Sequence, residues 1–194
     1  MTGRPSMVSF QVRGNLHPDP VVRGPEPGVY ADRMGQAAAV VDVSFEERYW
    51  YPDDGGIVWI VGYQLIDRES GGYLGREAPQ LARRGLRVVG VAGAARHHAV
   101  ALQSEAAAPG SGLGLRRDRD NPHDAQAIAV ETADGTEQLG WVPRDVAAEL
   151  APEIDAGRPW SAVVLREQRR SPRDPRHGLT MLLAASAAIE LRDA

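Results

Sequence analysis

The sequence predicts a mainly β fold, a small barrel-like sheet with one or two short helices and an N-terminal β-hairpin extension. Short apolar runs recur between clusters of Gly, Pro and Asp, a spacing that suits strands and turns. Asp134-Gly135 separates the runs Ile128 to Ala133 and Thr136 to Val142, the two-residue signal for a hairpin turn that needs positive φ. Val146, Leu150 and Ile154 recur every fourth residue, which predicts one amphipathic helix over Arg144 to Ala156.

Three segments divide the chain. Residues 1–35 carry Pro5, Pro18, Pro20, Pro25 and Pro27 and read as irregular, apart from a short strand expected at Met7 to Val12. Residues 36–85 hold the hairpin extension and a linker. Val40 to Tyr49 puts Val41, Val43 and Phe45 on one strand face, and Ile57 to Ile66 is apolar on both faces; Pro52-Asp53-Asp54-Gly55-Gly56 is the turn between them. Glu69 to Gly85, with Gly71, Gly72, Gly75 and Pro79, reads as linker with a short helical turn at Ala78 to Arg84.

Residues 86–194 form the main domain. Besides the Asp134-Gly135 hairpin, strands are expected at Arg87 to Ala92, Leu113 to Arg116, Trp160 to Arg166 and Leu179 to Leu191. The helix is closed by Gly157 and disturbed at Pro152. The last run reads equally as helix, because Ala184, Ala185, Ala187 and Ala188 favour that state intrinsically.

Composition narrows the function. With no cysteine there is neither a disulfide framework nor a thiolate metal site, and a cytoplasmic setting is the natural reading. The histidines lack the two-His helical spacing of a hydrolytic zinc site, so no metal or other cofactor is expected. No apolar run approaches the roughly 18 residues of a membrane span. A net charge of −4 argues against coating nucleic acid by bulk electrostatics, so any such binding must be local. All 22 basic residues are Arg, and each carries a planar fork suited to bidentate phosphate contact.

Val88-Val89-Gly90-Val91-Ala92-Gly93 imitates a dinucleotide turn, but the third spaced glycine, the long helix and the distant acid are missing. Gly110-Ser111-Gly112-Leu113-Gly114 lacks the Lys-Ser/Thr of a phosphate loop. Asp118, Asp120 and Asp124 fail as a calcium loop, because Pro122 takes a ligand position and no bidentate Glu follows.

The most specific stretch runs from Leu115 to Val130. In Asn121-Pro122-His123-Asp124, Pro122 fixes its own φ and holds Asn121 out of the α region, while Asp124 is short enough to bond backbone amides or a ligand hydroxyl. Together with Val91-Ala92-Gly93, Leu113-x-Leu115 and Gly140-Trp141-Val142-Pro143-Arg144, as far as Gly157, this order of residues resembles the HIRAN domain family. That module occurs at the N-terminus of the helicase-like transcription factor and as a stand-alone bacterial protein. The resemblance implies a small OB-like β-barrel.

It also implies a pocket for the 3′ end of single-stranded DNA, with Asp124 on the terminal hydroxyl and Asn121 and His123 beside it. His123 stands where the family often has Tyr, and Trp141 is placed to supply the stacking that His123 loses. Arg96 and His97 match an Arg or aromatic pair of the family, and Arg144 matches its cation. The bland alternatives are a core aromatic for Trp141 and a turn-capping carboxylate for Asp124.

The leading expectation is therefore a non-catalytic module that binds single-stranded DNA or DNA 3′ ends in repair or stalled-fork processing, with a helicase or nuclease as candidate partner. One alternative is a metal-dependent nuclease using Asp118, Asp120, Asp124 and His123, or a helicase-associated subunit. A second is a protein-interaction domain whose hairpin at residues 40–66 docks another chain. Arg166, Arg169, Arg170, Arg173 and Arg176 crowd one loop, which reads as solvated rather than as the main phosphate surface.

Overall fold

A computed structural model describes residues 38–50 and 57–194. The strand expected at Met7 to Val12, the irregular reading of residues 1–35 and the turn at Pro52 to Gly56 lie outside the described residues. The described chain is mainly β. Its strands are β1 (Ala39–Trp50), β2 (Val58–Leu65), β3 (Leu86–Gly90), β4 (Gly112–Arg117), β5 (Ile128–Thr132), β6 (Gln138–Trp141), β7 (Ser161–Arg169), β8 (Gly178–Ala184) and β9 (Ile189–Asp193). Three short helices accompany them: α1 (Pro79–Arg83), α2 (Ala94–His97) and α3 (Arg144–Asp155). Among the described residues, no helix is long and apolar enough to cross a membrane.

All nine strands join one sheet that branches at β7. One edge of β7 pairs along its length with β8; the other pairs first with β4, at Val163 and Ala162, and then with β2, from Arg166 to Arg169. The order β3-β8-β7-β4-β5-β6 curls back on itself, and its ends meet in a single bridge between Ala92 and Trp141. The ring is thus barrel-like but closed by one residue pair, whose N–H to O distances are 2.8 and 2.9 Å, not by a continuous ladder.

Both faces of β3, β8 and β7 are buried. Val89, Val164, Met181 and Leu183 face the ring interior, where Leu102, Ile128, Leu139 and Leu150 fill the core. Their neighbours Val88, Val163, Leu165 and Leu182 face the opposite way and pack on Val41, Val43, Leu65 and Leu81. A strand covered on both sides needs no polar alternation, which is why Met181 to Ala184 reads as a continuous apolar run.

Three expectations are corrected, and a fourth, the shared face of Val41, Val43 and Phe45, holds. The run Leu179 to Leu191 is neither a helix nor one strand: β8 ends at Ala184, and β9 turns away to pair in parallel with β1. Intrinsic alanine propensity loses here to pairing and burial, since Ala184 is fully buried between strands. The Asp134-Gly135 hairpin is real, but its loop is longer than two residues. Thr132 N–H bonds Glu137 O at 2.9 Å, Gly135 alone carries a positive φ of 71°, and the Asp134 side chain accepts from Thr132 and Thr136. Helix α3 runs through Pro152 to Asp155, because in the last turn the missing N–H costs a single bond. Phe45 lies on the face of Val43 but beyond the core, 51% exposed and edge-on to Tyr63 at 5.3 Å.

Candidate nucleic-acid interface

The residues singled out in the sequence gather where the ring closes. Close approach there depends on glycine. Gly140 has φ +147°, and a Cβ on it would stand 2.4 Å from Ala92 O and 2.6 Å from Val91 Cγ1. Gly93, at φ +73°, caps α2, and a Cβ there would stand 3.1 Å from the Trp141 ring. Both positions let the β3 end and β6 approach closely enough to bond, and so set Trp141 against α2.

Trp141 is half-buried. Its Nε1–H donates to Asp118 Oδ2 at 3.1 Å, and the rings of His97 and His98 stand edge-on to it with centroids at 6.1 and 5.1 Å. Asp118 Oδ2 also accepts from Asn121 Nδ2 at 3.0 Å, and Asn121 Oδ1 in turn accepts from His123 N at 3.0 Å. The polar turn is therefore cross-linked to the indole through one carboxylate. Those donors, Asn121 first and then Trp141, hold the Asp118 carboxyl below the ordinary carboxylate range, while burial opposes them.

Asp124 closes the turn. Its Oδ1 accepts from Gln126 N at 2.9 Å, and Oδ2 lies 3.6 Å from Arg144 Nε; the side chain keeps 20% of its surface exposed. Arg144, at the start of α3, is itself exposed and donates from Nη2 to His123 O at 3.1 Å. Arg117 braces the same turn from below, donating to Ala127 O at 2.6 Å and Ala125 O at 3.0 Å. A carboxylate has about four acceptor directions. Asp124 uses one on the backbone and leaves others for a hydroxyl.

The structure thus joins His97, Trp141, Asn121, His123, Asp124 and Arg144 into one network, with Asp118 as the link between Trp141 and Asn121. Arg96 is exposed on α2, with no ion pair among the described residues. Asp118, considered in the sequence only as a metal ligand, turns out to link the turn to the indole. Its spacing of three residues from Asn121 was the available signal, since short polar side chains bond across such turns. His98 was missed altogether. Burial first, and His97 second, push its imidazole below the ordinary histidine value, and its Nε2 is shut off from solvent without a hydrogen-bond partner among the described residues.

Among the described residues, no three His, Asp or Glu side chains come together as metal ligands. The nuclease reading therefore gains no ligand set from Asp118, Asp120, Asp124 and His123. The basic loop also differs from expectation. Arg176 is buried and bonds Glu167 and the carbonyls of Leu102 and Ser104, Arg169 bonds Glu167 at 2.6 Å, and Arg166 bonds Gln64 at 2.7 Å. Arg170 and Arg173 remain exposed.

Residues 87–175 match the model of the HIRAN domain family. A crystal structure of the HIRAN domain of human HLTF is similar at 22% identity, covering 52% of this chain and 76% of that one, with a TM-score of 0.38. No curated protein matches the chain.

Proposed function

Starting from residues 87–175 as a HIRAN domain, a kind of module that in general binds DNA, we propose that this chain recognises single-stranded DNA at its 3′ end. One observation carries the reading. Asp124, Trp141 and Arg144, chosen for an acceptor, a ring and a cation, lie within one connected cluster at the mouth of the ring seam. The acceptor serves a terminal hydroxyl, the cation a phosphate, and the ring and the His123 imidazole stack on unpaired bases. A role in repair or stalled-fork processing, alongside a helicase or nuclease, follows from such a ligand.

Fluorescence anisotropy with labelled single-stranded and blunt duplex DNA, over a range of salt, tests the proposal. Single strands are expected to bind at least about tenfold more tightly, because a duplex hides the stacking faces. Equal affinity at every salt concentration would sink it.

The hairpin supports a second reading as a protein-interaction surface. Phe45 and Tyr49, on one face of the hairpin, and Ile57 beside it are each about half exposed, with Trp50 exposed on the opposite face, more apolar surface than a solvated hairpin needs. Serine at Phe45 and Tyr49 leaves DNA affinity unchanged if this face serves a protein partner, and lowers it if the face belongs to the DNA site.

A further inference from the structure

The hairpin has an open side. Ile66 N–H donates to Asp42 O, which sets the even-numbered residues of β1 facing β2. The odd-numbered residues therefore turn their N–H and C=O groups to the other edge. Strand β9 covers that edge only as far as Val43, whose carbonyl accepts from Ala194 N at 3.0 Å. Beyond it, the carbonyl of Phe45 and the outward groups of Glu47 and Tyr49 have no hydrogen-bond partner among the described residues.

An edge strand is a template for another strand, and native folds blunt it with a bulge, a proline, a cover or charge. No bulge or proline interrupts Val43 to Trp50, which pair with β2 without a shift of register. Charge is the device present, and most of it is spent: Glu46 accepts from Tyr73 and lies 3.6 Å from Arg48. Glu47 is exposed and forms no ion pair among the described residues. On the same face stand Phe45 and Tyr49, half-exposed and edge-on to Tyr63 and Trp59 at 5.3 and 4.6 Å. The open edge thus presents ring, carboxylate, ring at every second residue.

We propose that the edge of β1 from Phe45 to Tyr49 receives an extended segment of a partner protein, in the line of β9. That segment carries an apolar residue opposite Phe45, a Lys or Arg opposite Glu47 and an apolar residue opposite Tyr49, the cross-strand pairs that stabilise neighbouring strands. The inference rests on the reading of the hairpin as a protein-interaction surface and names its occupant. The pattern is the same in both directions, so it fits a parallel or an antiparallel strand. A second copy of this chain fits poorly. Two such edges paired antiparallel about their common centre set Phe45 against Tyr49 but Glu47 against Glu47, and like charges directly opposite repel. A nucleic-acid strand lacks the alternating amide donors and acceptors, and Glu47 repels its phosphates.

Nitrogen-15 NMR of the full chain tests this with the synthetic peptide acetyl-Thr-Val-Thr-Lys-Thr-Val-Thr-amide. In the free protein the amides of Glu47 and Tyr49 exchange with deuterium at least about tenfold faster than those of Glu46 and Arg48, which bond β2. Peptide shifts the Glu47 and Tyr49 amides saturably and slows their exchange. Replacing its Lys by Glu weakens binding by about fivefold, and Glu47→Lys, a change at an exposed position, reverses that preference. N-methylation of the Val and Lys amides, or of the Thr amides between them, abolishes binding for one set and spares it for the other, because only one set meets the edge. Slow exchange at Glu47 and Tyr49 in the free protein means that the edge is already filled, and overturns the proposal. A peptide that shifts neither amide, loses binding equally with both methylation patterns or ignores the central charge overturns it too. Unchanged DNA affinity in the serine variants of Phe45 and Tyr49, without peptide binding, removes only the strand edge; lowered DNA affinity removes the protein-interaction reading itself.

Discussion

Asp118 and Trp141 form one contact that ties the polar turn to the ring seam at the proposed binding site. Trp141→Phe keeps a ring beside His97 and His98 but strips Asp118 of a donor. It should lower stability by about 1 kcal/mol, measured by urea unfolding, while DNA affinity stays within a few fold. Trp141→Ala should cost roughly 1–3 kcal/mol of binding as well, if the indole stacks on a base. Gly140→Ala is more severe, because its Cβ would meet backbone at 2.4 Å and the φ of +147° excludes a side chain. A loss of about 2 kcal/mol or more is expected, and single-strand binding should fall with it as the seam opens. Neither the Asp118 bond to the indole nor the Gly140 approach was legible beforehand, since both depend on segments far apart in sequence. The Asn121-Pro122-His123-Asp124 turn was legible, because its bonds span only two or three residues.

Elements were readable wherever one face met water. Helix α3 shows its buried stripe at Val146 and Leu150 against exposed Ala148 and Glu149, and the prediction over Arg144 to Ala156 agrees with it to one residue. Strands β3 and β8 lack that contrast, so the break between β8 and β9 left no periodic trace. The β7–β8 loop hid its purpose in the same way: its arginines look alike in sequence, yet Arg176 is buried on Glu167 and Arg170 is exposed. Arg176→Ala should therefore destabilise the fold by about 2 kcal/mol, because Glu167 keeps only Arg169 and the carbonyls of Leu102 and Ser104 lose their donor, whereas Arg170→Ala should leave the melting temperature unchanged. Thermal unfolding of the two variants side by side checks this.

At the scale of the whole molecule, charge and acid response follow from the same contacts. His98 and His177 are held below the ordinary histidine value of 6.5 by burial. Their protonation favours the unfolded chain, so this part of the stability is full above 6.5 and is lost as pH falls through their lower folded values. Asp118, held below its ordinary 3.8, adds a further loss at lower pH. Melting temperatures should thus decline in two stages on acidification, and His98→Gln with His177→Gln should remove the first. The net charge of −4 leaves only local cations to meet phosphates, so the salt dependence of DNA binding should be shallow, and Arg144→Ala should reduce its slope by about one. The central claim is that this site reads a free 3′ hydroxyl through Asp124. Asp124→Asn keeps the Oδ1 acceptor for Gln126 and so preserves the turn, while removing the charge that repels a terminal phosphate. The deciding measurement is the affinity ratio between 3′-hydroxyl and 3′-phosphate single strands, taken for the wild type and for Asp124→Asn together with their melting temperatures. A wild-type preference for the hydroxyl that narrows in Asp124→Asn at unchanged stability is the predicted result; an unchanged ratio with a lowered melting temperature would confine Asp124 to the turn and contradict the claim.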